Sequence, residues 1–594
     1  MSQIAGLQDF RQEGSPADLG TFLLPCEALS FQFTFSGTTY ICSVRSGERG
    51  WVLIDFGTVA STVLNAAGAY INGLGGGTHH ICANSVPYSI TLRILVYNNM
   101  VLEGSGWGTI LKLANLANER VIMNADPVGG NSYFEVRDLQ VDGNRANQNA
   151  AGTIGIELRN ASSFAVTHCY VHDTYYDGMG CWEGSHDGEF VNNLCHSTSN
   201  RHCIFVEYGV APITHDIIVE GNITYSSSNT GSGINITGGP GTELYRITVI
   251  NNVSYSNGQQ GIQLGDLRGC TCTGNVVYNN ASYGILLIDN IQNSTLTANI
   301  SQGNADDGIC LLTSTCKLVT ISANVSFNNA TDGILLYGAS SNTIVGNVCY
   351  HNTRYGIYLR NGASDNVVSS NICYDEPVAV QSNGLILNND ADDNLIMLNW
   401  FTGHTNMGIQ ILTADCDRNV VIHNRLGGNT NGPISDAGTG TIFEMVTLPF
   451  VDGTASITAN GAPKGWRVAA ANEFAITYGV MPPECQQVMK IRVLAVGLAA
   501  PGAGNQMLID LAANGAQPDE VYTGEAIAVN SKESNETAFA INDIVTWTFT
   551  PADDSDIGDL VAGDCLEIKM IYRAAVAPDI ATNALLRCVD ISYV

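Results

Sequence analysis

At 594 residues the chain is longer than the roughly 250–300 residues at which a single core stops growing, so it is either multi-domain or a solenoid in which each repeat packs only on its neighbours. With 63 Gly, 13% charged and 45% apolar residues, the composition excludes a helical protein and points to a β-rich chain with many turns. The formal charge of −30, from 25 Lys+Arg against 55 Asp+Glu, excludes a nucleic-acid partner and an anionic membrane surface, and favours a neutral or lightly charged ligand over a polyanion.

Residues 1–57 read as a lead segment. Its start, Met1-Ser2-Gln3-Ile4, lacks a basic stretch followed by an apolar run. No run of about 18 apolar residues occurs anywhere, so no membrane insertion is expected. The 17 Cys are scattered without CxxC pairs and read as small buried hydrophobes rather than as a disulfide framework or a zinc site. Val59, Val63, Ala66, Ala67, Tyr70, Ile71 and Leu74 trace the apolar face of a helix near 59–74. Ser61 is its expected N-cap and Gly75-Gly76-Gly77 its end, and the helix is expected to cover the open end of the first coil of a repeat array.

That array occupies 58–445. Asn252-Val-Ser-Tyr255 leads to Gly261-Ile-Gln-Leu264, Asn275-Val-Val-Tyr278 to Gly284-Ile-Leu-Leu287, and Asn347-Val-Cys-Tyr350 to Gly356-Ile-Tyr-Leu359. A period of about 23–25 residues suits one coil of a parallel β-helix. In Gly-Ile-x-Leu the Ile and Leu point inward and x is expected to face solvent. Asn193, Asn222, Asn252, Asn275, Asn299, Asn324, Asn347, Asn371, Asn399 and Asn424 fall in one column, read as an internal amide ladder. Tyr225, Tyr255, Tyr278, Phe327, Tyr350 and Tyr374 fall in another. The sequons at Asn222, Asn252, Asn299 and Asn324 are therefore predicted to be buried and unglycosylated.

The early coils break the frame. Cys169 stands where the ladder Asn is due, His172 and His196 stand for the aromatic, and Arg201-His202 stands for x-Gly. Aligning Gly155, Gly178, His202 and Gly233 sets Asp177 beside Arg201 and Glu183 beside Glu207, about one strand spacing apart. Two carboxylates so placed can divide acid and nucleophile roles, as glycoside hydrolysis requires. Trp182 and Arg159 share an outward column, and Gly180 clears space beside Glu157, which reads as a stacking floor for sugar, with Tyr208 at its margin. The ordinary alternatives are a surface ion pair for Asp177 and Arg201, solvated turn residues for Glu183 and Glu207, and ladder substitutes for His172 and His196. No metal or other cofactor is required. Calcium, at His186, Asp187 and Glu189, is the cation that the acidic loop would fit.

Beyond about Gly440 the frame stops, and alternations such as Met489/Ile491/Val493 and Val545/Trp547/Phe549 predict antiparallel strands with one wet face. A C-terminal β-sandwich over 446–594 is expected, serving trimerisation or carbohydrate binding.

Thr62-Val-Leu-Asn-Ala-Ala67, Leu102-Glu-Gly-Ser-Gly-Trp-Gly-Thr109 and Val141-Asp-Gly-Asn144 resemble the opening coils of pectate-lyase-superfamily proteins, over roughly residues 55 to 440. The resemblance implies a right-handed parallel β-helix among polysaccharide lyases, glycoside hydrolases, alginate epimerases and phage tailspike depolymerases. It departs from the epimerase run Tyr-Gly-Phe-Asp-Pro-His, since Gly180 and Trp182 stand where the Asp and His would be. The order of β-helix then terminal β-domain is similar to tailspikes, which implies an extracellular or virion-associated homotrimer. The resulting expectation is a glycoside hydrolase with Glu183, Glu207 and Asp177 as catalytic groups. Trp182, Arg159, Arg201, His202, Glu157 and Tyr208 would hold the polysaccharide. One rival is β-elimination on a uronic-acid polymer, with Arg201 or a cation neutralising the carboxylate and His202 or a Tyr as base. The other is a non-catalytic glycan-binding fibre.

Overall fold

The computed structural model describes the backbone of residues 27–34, 38–45, 51–150, 152–209, 213–239, 241–375 and 380–449 and of strands between 452 and 593, with side chains within 39–43 and 53–443. It forms two compact units: Met1–Val367 with Asn371–Ala391, and Val368–Ser370 with Asp392–Val594.

In the first unit most coils carry three short strands. One coil runs through Ile156–Arg159, Ser162–Thr167 and Tyr170–His172, and the next through Met179–Trp182, His186–Val191 and Leu194–His196. Each strand pairs in parallel with its counterpart one coil on, so Ile156, Met179, Ile204, Ile234, Ile262 and Ile285 stack in register. These residues are fully buried, and alternation with period two carries Leu158, Val206, Ile236 and Leu264 into the same interior.

The amide ladder is present and fully hydrogen-bonded. Asn275 Oδ1 accepts both the backbone N–H (3.0 Å) and the side-chain amide (2.9 Å) of Asn252, and Asn275 Nδ2 donates onward to Asn299 Oδ1 (2.9 Å) and back to Val249 O (3.0 Å). Because Asn222, Asn252, Asn299 and Asn324 are fully buried, their sequons have no room for a glycan. Asn299→Ala should cost about 3 kcal/mol, since it strands two donors of Asn275 and the Cys272 carbonyl without water. A drop in the thermal midpoint of the full chain measures this, and an unchanged midpoint would mean that the amides are dispensable.

A second ladder, not anticipated, lies five residues further along each coil. Asn257, Asn280, Asn304, Asn329 and Asn352 pass the same paired bonds from coil to coil. It explains the frame's glycine. A Cβ on Gly308 would fall 1.9 Å from Ser326 Oγ and 2.7 Å from Asn329 Nδ2, so the ladder closes only over a residue without a side chain. The aromatic column stacks as expected, with Tyr225 to Tyr255 at 5.0 Å, Tyr255 to Tyr278 at 4.8 Å and Phe327 to Tyr350 at 4.7 Å between centroids.

The x position of Gly-Ile-x-Leu departs from expectation. Leu286, Cys310, Leu335, Tyr358 and Ile386 point out of the coil yet are buried, because Tyr283, Ile288, Leu312, Tyr337 and Tyr355 fold over them.

The expected helix is Ala60–Gly73. Ser61 is not its N-cap: Val59 holds that place, and Ser61 Oγ is hydrogen-bonded to Thr91 Oγ1. The buried face is Val63, Leu64, Ala67 and Ile71, while Tyr70 and Leu74 face outward. Asn65 fastens the helix to the strand Ile94–Val96, donating to Arg93 O and accepting from Leu95 N–H, both at 2.9 Å. The lead segment contributes the strand Glu27–Thr34, which pairs in parallel with Gly77–Ile81 and antiparallel with Thr38–Arg45. None of the described helices is long and apolar enough to cross a membrane.

The second unit opens with further parallel coils, Leu395–Met397 on Val420–Ile422 and Met407–Ile411 on Gly432–Asp436, and the ladder continues from Asn399 to Asn424. Pairing then turns antiparallel. Ala584–Tyr593 lies against Ile442–Pro449 and Val488–Gly497, and Cys565–Arg573 against Phe474–Val480 and Leu508–Ala516. The side chains that would make a sandwich of 446–594 lie outside the described residues.

Candidate functional site

The frame-breaking coils meet on the outer face of the first strand of each coil, but in a different register from the expected one. Met179, Gly180 and Cys181 stand against Ile204, Phe205 and Val206. Cys203, not His202, therefore occupies the glycine column, where its carbonyl lies 2.3 Å from the Cβ position of Gly178. The turn before it holds one residue more than the alignment allowed. Continuing the register puts Trp182 opposite Glu207, and Glu183 falls one position beyond. The Glu183–Glu207 pairing in one column is thus corrected, as is that of Asp177 with Arg201.

Arg201 nevertheless reaches Asp177, and it joins two carboxylates. Its Nη1 donates to Asp177 Oδ2 at 3.1 Å and its Nη2 to Glu207 Oε1. The His202 N–H donates to Asp177 Oδ1 at 2.9 Å, and Asn235 Nδ2 donates to Glu207 Oε1 at 3.1 Å. The His202 Nδ1 accepts the Ser232 N–H at 3.0 Å, which leaves the proton of the neutral ring on Nε2, 3.9 Å from Glu207 Oε1. Burial, reinforced by Arg201, lowers the His202 pKa to about 3. Asp177 is fully buried, and desolvation raises its carboxyl to about 7 against the opposing pull of Arg201. Its side chain is only 1% exposed, against 13% for Glu207, so Glu207 is the carboxylate of the pair that a ligand can reach.

The expected stacking floor is built differently. The Arg159 guanidinium covers one face of Trp182 at 4.1 Å, and the indole Nε1 is buried, so neither that face nor that edge is open to a sugar. Glu157 is buried between Arg120 (2.6 Å) and Arg159 (3.1 Å), where it orients Arg159 instead of meeting a ligand. The space left by Gly180 is filled by Phe205, whose ring lies 2.5 Å from the missing Cβ. Tyr208 is exposed and packs over Gly239.

Glu183 sits in the turn, its stem against Gly209 and its Oε1 3.6 Å from Arg159 Nη1. Its φ is +53°, the conformation that Asp266, Asp289 and Asn361 adopt at their own turns. The same left-handed turn conformation recurs at Leu116, Leu318, Leu398 and Arg418, so it belongs to the coil's turns, and the Glu183 carboxylate is 30% exposed beside Arg159.

His172 and His196 do continue the aromatic column, stacked 5.6 Å apart and onto Tyr225 at 4.4 Å. His186, Asp187 and Glu189 do not converge on one point. His186 stacks on His215 at 4.9 Å and pairs with Asp187, while Glu189 occupies the column of Ala165 and Ile218. Asn235 on Glu207, Arg120 on Glu157 and Tyr176, whose ring lies 5.4 Å from the Arg201 guanidinium, belong to the cluster and were missed. Asn235 had a legible signal, being a polar residue in the x position of a Gly-Ile-x-Ile run.

Part of this cluster is repeated elsewhere in the chain. Asp332, also buried before a glycine and raised to about 7 by desolvation, accepts from Arg354 at 3.1 and 2.5 Å and from the Tyr355 N–H at 3.2 Å. The Asp–Arg brace is therefore a general solution of this coil. What distinguishes the early copy is Glu207, four residues past the glycine column, where the later copy has Arg360.

The coils are a right-handed parallel β-helix. Residues 155–348 match the family model for a right-handed β-helix region, and residues 288–444 match one described as periplasmic copper-binding protein NosD. No curated protein matches the chain. Among solved structures, it is similar to the A-module of the mannuronan C-5 epimerase AlgE4 of Azotobacter vinelandii, with 17% identity, 64% of this chain and 94% of that one covered, and a TM-score of 0.43. It is also similar to a tailspike protein of E. coli bacteriophage HK620 in complex with pentasaccharide, with 11% identity, coverage of 90% and 89%, and a TM-score of 0.42.

Proposed function

We propose that the protein is a polysaccharide-cleaving enzyme, a glycoside hydrolase, acting on a neutral or lightly charged glycan at the outer face of the coils between residues 155 and 237. The observation that carries this reading is Glu207: an accessible carboxylate held by Arg201 and Asn235, added to a brace that elsewhere in the chain does without it. Glu207 acts as nucleophile or base, and Glu183, 30% exposed in the turn that follows Trp182, as its acid partner. Asp177 is too buried to touch substrate and positions Arg201.

Hydrolysis is preferred to β-elimination because the charge of Arg201 is already shared between two carboxylates, which weakens its hold on a uronate. The net charge of −30 works in the same direction. Action outside the cytoplasm and assembly as a homotrimer belong to the same proposal. Incubating the full chain with a panel of neutral and uronic-acid polysaccharides tests it. Hydrolysis yields shorter chains with new reducing ends. Products that absorb ultraviolet light would select elimination, and binding with unchanged chain length would select a glycan-binding fibre.

A further inference from the structure

We infer that Asp142, His172 and Asp173 form a binding site for a divalent transition-metal ion such as Zn2+, on the third strand of the early coils and separate from the Arg201 cluster. Asp142 and His172 are register partners on adjacent strands, Gln140–Asp142 and Tyr170–His172. Asp173 follows with a φ of +50°, which turns its carboxylate back so that Oδ2 lies 2.8 Å from His172 Nδ1. One ligand atom from each of the three lies within 4.8 Å of the others, and among the described residues this is the one such group of His, Cys, Asp or Glu.

Two of the donors are held in place before any ion arrives. Asp142 is 9% exposed, and its Oδ1 accepts the Asn144 N–H at 2.8 Å, which leaves Oδ2 to face the site. The His172 ring stacks on Tyr170 at 4.6 Å and on His196 at 5.6 Å. Its Nε2 accepts from the Gln140 amide nitrogen at 2.8 Å, so Nδ1 carries the ring proton and donates it to Asp173. An ion that takes Nδ1 displaces that proton, and a half-turn of the Gln140 amide then lets its oxygen accept Nε2–H, the support that a metal-bound imidazole needs. An imidazole with two carboxylates is a mixed N/O set, which suits Zn2+ or Mn2+ better than calcium.

The place already attracts positive charge. Lys112 Nζ lies 2.5 Å from Asp142 Oδ2, and Arg145 Nη2 lies 3.6 Å from Asp173 Oδ1. Lys112 is 41% exposed on a flexible stem, so an arriving ion displaces its ammonium into solvent. Lysine and metal therefore compete for Asp142.

The test is calorimetric titration of chelator-treated full-length protein with Zn2+ alone. The wild type should bind, and His172→Ala and Asp173→Asn should each weaken binding at least about tenfold. Lys112→Met should tighten it, by about fivefold or more, because the competing cation is gone. The Asp173 side chain is 41% exposed, so its variant should fold even if one at buried Asp142 does not, with circular dichroism as the check. Absence of Zn2+ binding, unchanged affinity in both His172→Ala and Asp173→Asn, or no gain in Lys112→Met overturns the assignment. None of these readouts depends on polysaccharide cleavage.

Discussion

Glu207→Gln should lower polysaccharide cleavage by about a thousandfold while leaving the fold intact, in the range expected when a positioned acid–base or nucleophilic carboxylate is lost. The amide keeps an oxygen that accepts from Arg201 and Asn235, so the brace survives and the loss reports on chemistry. Glu183→Gln should fall comparably, and because Glu183 is held only by a 3.6 Å contact to Arg159, its stability should hardly change. Initial rates on the polysaccharide that the wild type cleaves, with far-ultraviolet circular dichroism as a fold control, decide the matter. Full activity in both variants would remove these residues from the mechanism.

Arg201→Met should destabilise the early coils by about 3–5 kcal/mol near and above pH 7, since it leaves a buried carboxylate without its cation. The pH dependence gives a sharper signature. Asp177 has a folded pKa of about 7, above its ordinary value of 3.8, so the folded state holds this proton more tightly than the unfolded chain does. Its contribution is complete below about pH 4 and is lost as the pH rises through 7. Asp332 has the same shift and the same sign. Buried His79 and His202, lowered to about 3, work the other way up to about pH 6.5, so the signature is a difference from wild type: Asp177→Asn and Asp332→Asn should each lose less stability than the wild type between pH 4 and pH 8. In Arg201→Met only the His202 N–H still opposes desolvation, so the slope should steepen and extend above pH 7. Parallel profiles for Arg201→Met and wild type would show that the guanidinium does not hold the Asp177 charge.

Asp177 and Asp332 also show how a site is separated from its scaffold. Each accepts a guanidinium and a backbone N–H from the next coil, and each precedes an inward glycine that a Cβ could not replace. The shared parts belong to coil closure. Glu207, Glu183 and Asn235 are additions to it, and function is sought among such additions.

The solenoid was legible in the letters because stacking enforces repetition. A buried amide must meet its copy one coil on, so the Asn ladder and the Gly-Ile-x-Leu frame recur wherever the core does. The same repetition gave the aromatic column, and a separate apolar face of helical period gave the helix, expected near 59–74 and observed over Ala60–Gly73. The register of the candidate site was not legible, because the turn before Cys203 carries one unaligned residue, and a slip of one residue moves every outward neighbour by a place. Nor does a linear pattern record what covers an outward side chain. The burial of Leu286 and Leu335, the closure of Arg159 over Trp182 and the filling of the Gly180 gap by Phe205 all arise between coils, where long side chains from positions far apart in the chain compete for the same surface.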